Sequence, residues 1–473
     1  MKETRHDSFP QQTLQNWKQN IADMESLASR TYEDVILKPL YTKEDLQHQP
    51  LSTFPGSGDY RRGVYPLGYI SNPWEVAQKI HFKNIEDFKT QLHSSFQKGQ
   101  TSISFTPSLL IMTHLPYLFL NIYQQHPFSV NGAHFQQEIV EALIKMKHSE
   151  KISGFIGKDP IALYVQDPKM NLDESYEGLM KTIESASSSC PHLKTILIDT
   201  TPYHNSGATA VQELAIALST AVQHIEEMRK RGLELKNGIE KFVFHFSINS
   251  HFFMEIAKLR AIKVLWSKIL EAYKIEVNED FITVSAETSS FTKTVYDPYV
   301  NLLRAGNESF AAILGGVQFL HISPYNELEG EITDLSDRVA RNMHFILRDE
   351  ARLGSVIDPA GGSWYIESLT NALIENAWNL FLEIDQRGGI IATIQTNWLQ
   401  KQINKVMTKR DQDVRTRNQI IVGTNKYEFT EDSPLHIKKK SEVGQTSSIE
   451  HMIEKRLSEK YEELRKQKVN RNE

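Results

Sequence analysis

Between about Ser71 and Asn397, short apolar or β-branched runs alternate with longer segments whose apolar residues recur every three to four positions. That alternation predicts parallel strands joined by crossover helices. The strand candidates are Ser102–Phe105, Thr195–Asp199, Phe242–Ile248, Phe281–Ala286 and Val317–Ile322, several of them nearly continuous apolar runs of the kind found where both sheet faces are covered. The best-defined helix lies between the second and third. There Leu214, Leu218, Val222, Ile225 and Met228 form one stripe, Glu226, Glu227, Arg229 and Lys230 are expected to face outward, and Gly232 supplies a stop, which reads as a surface helix. Repeated βα units over roughly 330 residues fit a closed barrel or an open doubly wound sheet, and periodicity does not separate the two.

The flanks have a different character. Met1 to about Tyr69 mixes a short helical stretch near Leu14–Ala28 with Pro- and Gly-marked extended chain, and reads as a wrapping arm. Beyond Gln402 the chain turns polar through Lys409–Arg417, has a short apolar stretch at Ile420–Tyr427, and runs on as a linker through Lys438–Lys440 and Gln445–Ser448. Ile449, Ile453, Leu457, Tyr461 and Leu464 then form a helical stripe within dense charge, suited to a partner helix or to a solvated helix of its own. The expected organisation is an arm over 1–70, a body over 71–397, and a linker with a charged helix over 398–473. The longest apolar stretch, Leu109–Tyr123, is broken by His114 and Pro116, falls short of the ~20 residues that cross a bilayer, and is expected to be buried core.

Composition narrows the function classes. With 40% hydrophobic and 24% charged residues among 473, most of the chain can bury a core. A net charge of -6 and the lack of an aromatic-studded basic strip argue against a nucleic-acid partner. Cys190 is the single cysteine, which leaves no internal disulfide or cysteine-based zinc cluster and suits a reducing cytosol. Met1–Pro10 has neither the apolar core of a secretion signal nor the Arg-rich, acid-poor pattern of a transit peptide, so a cytoplasmic protein is expected. There is no G-x-G-x-x-G and no phosphate-loop lysine motif, which removes the physical anchor of the dinucleotide and nucleoside-triphosphate readings.

Several blocks carry a resemblance. They are Lys38-Pro39-Leu40-Tyr41-Thr42; Pro55-Gly56, Tyr60, Arg62-Gly63, Tyr65, Tyr69 and Pro73-Trp74; Ser206 to Ala210; Phe252 to Arg260; Asp297-Pro298-Tyr299-Val300-Asn301; and Asp358 to Tyr365. In this order the chain resembles methylmalonyl-CoA mutases from about Thr31 to Tyr427, and within that family the small, non-catalytic subunit. The resemblance implies a (β/α)8 TIM barrel, an α/β fold, whose axis in active members holds the pantetheine arm of acyl-CoA. It also implies adenosylcobalamin, held against the strands' C-terminal face by a second, flavodoxin-like domain. The expected partner is a catalytic large subunit in a heterodimer. Arg62, Tyr65 and Tyr69 match positions near the CoA entrance and are the candidate substrate-binding residues. Asp358–Tyr365 is expected to be a turn that locks a barrel loop.

The matched positions also depart from active members. The family's cobalt-ligating Asp-x-His-x-x-Gly is absent, since none of the 17 histidines has aspartate two positions before it. A flavodoxin-like domain, a cofactor site and a metal site are accordingly not expected in this chain. Lys79 stands where active members place a tyrosine, Asn72 where they place an arginine, and Lys241 and Val243 where they place an arginine and a serine. His204 beside Tyr203 is the candidate for the family's substrate-contacting histidine. Its spacing from Gly207 argues against that role, because the gapless match is Pro202. The converging losses point to a stabilising, non-catalytic subunit. The alternatives are a substrate-binding subunit of a split mutase that works with a separate cobalamin chain, and a truncated copy of a longer small subunit.

Overall fold

The computed structural model describes residues 13–20, 26–46, 53–119, 122–276, 281–429, 434–437 and 448–470. The expected runs at 438–440 and 445–447, the residues before 13 and part of the expected first helix fall outside them. Seven parallel strands form one sheet: β1 (Glu75–Val76), β2 (Phe128–Asn131), β3 (Gly154–Lys158), β4 (Leu193–Asp199), β5 (Phe242–Ile248), β6 (Thr283–Thr288) and β7 (Phe319–His321). Their order is β1-β7-β6-β5-β4-β3-β2, so the first two strands of the chain lie at opposite ends of the order. The strand candidate Ser102–Phe105 fills the gap between them. Ile103 pairs with Phe128 and Phe105 with Ile80, both parallel, so this segment closes the cylinder as its eighth stave. The fold is an α/β barrel of the TIM type, as the resemblance implies.

Helices pack around the barrel because each carries an apolar face that the strands' outer side chains cover. They include α1 (Ile85–Gln97), α2 (Gln136–Ile144), α3 (Leu172–Ser189), α4 (Ala210–Lys230), α5 (Phe252–Ala272), α6 (Val300–Leu314), α7 (Asp334–Phe345), α8 (Trp364–Gln386), α9 (Trp398–Thr416) and α10 (Glu459–Asn470). A capping box starts α4: the Thr209 hydroxyl accepts from the Gln212 backbone, and the Gln212 side chain accepts from the Thr209 N–H. Gly232, at φ +77°, follows its end as expected.

The structure corrects the sequence reading at several places. The helix α4 is not a surface helix. It is buried around most of its circumference because α8 lies across both α4 and α5, and Glu227, expected to face outward, is buried beside Arg231. The stretch 109–123 is only partly core. Ile111, Leu115, Leu118 and Phe119 are buried, while Leu109 and Tyr117 are more than 70% exposed on two single-turn helices. In the arm, the described helix spans only Leu14–Gln19.

The C-terminal stripe is helical only from Glu459 onward. Before that the chain runs extended, because the backbone N–H groups of Met452, Lys455 and Leu457 donate to the carbonyls of Val165, Asn205 and Phe291 at 2.7–3.0 Å, in place of a helical ladder. No helix among the described residues is long and apolar enough to cross a membrane.

Candidate functional site

Side chains alternate in and out along barrel strands, so the axis receives every second residue. One inner layer is apolar: Ala77, Phe155, Leu197, Val243 and Phe319 form a cluster separate from the core between strands and helices. Phe155 comes from β3 and Phe319 from β7, with three strands between them in the sheet order. Their rings nevertheless meet edge to face, 5.3 Å between centroids at 90°. Two side chains from opposite walls touch only by meeting across the axis, so this layer is a plug.

Above it, toward the strands' C-terminal ends, the axis carries charge. Lys79 Nζ lies 2.5 Å from Glu287 Oε2, and His245 Nε2 is 3.6 Å from the same oxygen. His245 Nδ1 is 3.0 Å from the Ser285 hydroxyl, and His321 Nδ1 is 3.3 Å from both the Lys79 backbone nitrogen and Gln78 Oε1. Burial works to raise the Glu287 carboxyl, but the Lys79 ammonium and the His245 hydrogen bond override it and hold the carboxyl well below the usual range. Burial, with Lys79 alongside, holds His321 well below the ordinary imidazole value. On the far wall Asp199 accepts from Asn131 Nδ2 at 2.9 Å, and burial pushes its carboxyl up to about 6. The mouth is therefore a closed set of ion pairs and hydrogen bonds, although 36% of the Lys79 side chain still reaches solvent.

The other expected site residues are dispersed. His204 is buried, with Nδ1 2.9 Å from Glu213 Oε1 and Nε2 2.7 Å from the Ser289 hydroxyl. Both ring nitrogens are thus engaged by neighbouring side chains. Lys241, just before β5, donates to the carbonyls of Pro191 and Leu193. Arg62, Tyr65, Tyr69 and Asn72 come together around a cavity of about 60 Å³. The preceding loops of β7, including Gly315, Gly316 and Gln318, complete its wall, which places it at the strands' N-terminal ends. Tyr69 donates its hydroxyl to the Val317 carbonyl at 2.7 Å, and Arg62 Nε donates to Asp358 at 2.8 Å. Among the described residues no cluster of His, Cys, Asp and Glu could hold a metal ion.

The network around His204 has a testable pH signature. The Ser289 N–H and the Thr292 hydroxyl both donate to Glu308, whose carboxyl burial pushes up to about 7 against the pull of Lys293. A carboxyl raised in the folded state stabilises fully below its unfolded value, and that contribution is lost as pH rises through about 7. Glu308→Gln should therefore flatten the fall in unfolding free energy between roughly pH 4.5 and 7.5, by on the order of 3 kcal/mol. Urea melts across that range measure it, and parallel profiles for the two proteins would refute it.

The profile of the family described as methylmalonyl-CoA mutase matches residues 30–115 and 136–471. The chain belongs to the methylmalonyl-CoA mutase family. It is 29% identical to the methylmalonyl-CoA mutase of Rhizobium meliloti (strain 1021), over 90% of this chain and 65% of that protein. It is also 29% identical to the methylmalonyl-CoA mutase small subunit of Porphyromonas gingivalis (strain ATCC BAA-308 / W83), over 91% and 72%. Against the mitochondrial methylmalonyl-CoA mutase of Homo sapiens the identity is 27%, over 91% and 62%. The chain thus spans about two thirds of the length of these mutases. Family membership accounts for the barrel. Phe155, Phe319, Glu287 and His245 escaped sequence reasoning. The available signals were that Phe319 and His321, and likewise Val243 and His245, sit two apart on strand candidates and therefore share a face.

Proposed function

We propose that this chain is a non-catalytic, small-subunit-type component of an adenosylcobalamin-dependent mutase that interconverts methylmalonyl-CoA and succinyl-CoA. The observation that carries the reading is the contact of Phe155 with Phe319 across the axis, capped by the Lys79–Glu287 pair. An acyl-CoA whose pantetheine must thread the axis meets two aromatic rings and an ion pair, and displacing a buried pair leaves charge uncompensated. Similarity to the mutase small subunits of Porphyromonas gingivalis and Streptomyces virginiae, and at a like level to the large subunit of the former, supports the mutase part of the reading.

In this reading His245 is not available to adenosylcobalamin, because its two ring nitrogens face the Ser285 hydroxyl and the Glu287 carboxylate. In this reading the cofactor belongs to a catalytic partner chain. The arm up to residue 70 is the contact region: it presents Ile36, Leu40, Phe54, Leu67 and Ile70 as exposed apolar side chains, the kind of surface that an obligate interface covers. Arg62, Tyr65 and Tyr69 are what remains of an acyl-CoA entrance.

The test uses the purified chain with adenosylcobalamin and methylmalonyl-CoA. The expected result is no corrinoid spectrum retained after gel filtration, no succinyl-CoA formed, and a stable heterodimer on co-expression with a large subunit. Turnover by the chain mixed with a stand-alone cobalamin domain would instead establish a split mutase and overturn the proposal.

A further inference from the structure

Lys263, on α5, sits in the wall of the entrance cavity and is 1% exposed. Around it the other cations are paired. Arg61 is held by Asp59 and Glu367, Arg62 by Asp358, and Arg260 by Asp358 and Glu367, whereas Lys263 forms no ion pair among the described residues. Its single hydrogen bond goes from Nζ to the Gly315 carbonyl at 2.6 Å. The next residue is glycine, and a Cβ at Gly316 would come within 3.1 Å of Nζ, so the lack of a side chain there leaves that flank of the nitrogen open. An amine with one acceptor, no counter-ion and an open side against a cavity is set up as a nucleophile more than as a fixed charge.

We propose that Lys263 is a covalent acylation site of this cavity, taking an acyl group from a small thioester. The neutral amine attacks the thioester carbonyl carbon. The carbon–sulfur bond breaks as the amide forms, the thiolate leaves, and the proton released by nitrogen ends on sulfur, so the products are an N-acyl lysine and a free thiol. Burial, with the Arg260 guanidinium beside it and Asp358 opposing, lowers the ammonium to about 7, which leaves a large neutral fraction at physiological pH. The inference stands apart from the role proposed for the barrel, since it needs only the cavity and the amine.

The experiment treats the full chain with S-acetyl-N-acetylcysteamine from pH 6 to 9 and maps acetylated lysines by peptide mass spectrometry. Lys263 should be modified on the order of tenfold or more faster than exposed lysines at pH 7, with a rate that levels off above about pH 7.5 while theirs keep rising. Lys263→Arg, which keeps a donor for the Gly315 carbonyl, should remove that adduct and leave the thermal midpoint within a few degrees of the parent. Wild-type protein in which Lys263 stays unmodified, or is modified no faster than surface lysines, overturns the assignment without recourse to any variant. A parallel reaction with acetyl-CoA separates the two readings: faster labelling adds a nucleotide-binding role to the entrance, and slower labelling of Lys263 with retained reactivity toward the small thioester leaves the acylation site and removes the CoA entrance.

Discussion

Arg260→Ala is expected to lower the unfolding free energy by about 3–5 kcal/mol, the cost of breaking a buried ion-pair network from one side. The guanidinium is 1% exposed and reaches Asp358 at 2.5 Å and Glu367 at 2.6 Å. Both carboxylates also serve the arm, through Arg62 and Arg61. Burial already raises the Asp358 carboxyl against the pull of Arg260 and Arg62, so removing the larger pull leaves it a poorly compensated charge. Asp358 adopts φ +45°, and a Cβ at Gly361 would strike its carboxylate oxygen, so the turn that holds it has little freedom to relax. Arg260→Lys keeps the charge but cannot address two carboxylates with a planar fork, and should fall between parent and alanine. Urea denaturation measures all three, and a loss below about 1 kcal/mol for alanine would show that the arm is held by apolar contacts alone.

The second large effect concerns the plug. Phe155→Ala and Phe319→Ala should each cost about 3–5 kcal/mol, because each removes a ring from a cluster enclosed by strands on every side. The rings touch, so the double variant should lose measurably less than the sum of the two losses. Mutase activity should not appear in the double variant: Lys79 and Glu287, from walls one strand apart, still pair one layer higher in the axis. Succinyl-CoA production by the double variant alone would mean that two aromatic rings are the whole difference between a silent barrel and a working one.

The strands β4, β5, β6 and β7 and the closing segment Ser102–Phe105 were legible as strand candidates because they are runs of β-branched and aromatic residues. The short strands β1 and β2 and the glycine-flanked β3 were not, since two to five residues with Gly154 and Gly157 among them carry no periodic signal. Pattern reading took α4 as amphipathic from one stripe and did not register that its opposite face packs under α8, a relation fixed only by the tertiary fold. The same limit hid the interior of the barrel. Lys79 was singled out as an anomaly, but its partner Glu287 lies 208 residues away, and no local pattern links the two. Arg62, Tyr65 and Tyr69, near one another in the sequence, line one cavity, whereas His204 belongs to a separate buried network.

The extended segment from Met452 to Leu457 fastens to the loops after β3, β4 and β6 through three backbone hydrogen bonds. Those loops are translated well over a hundred residues before the piece that ties them together. A nascent chain can therefore assemble its cylinder and still have an unfastened rim until this last stretch clears the ribosome. During that interval water takes the place of the three N–H donors at the carbonyls of Val165, Asn205 and Phe291.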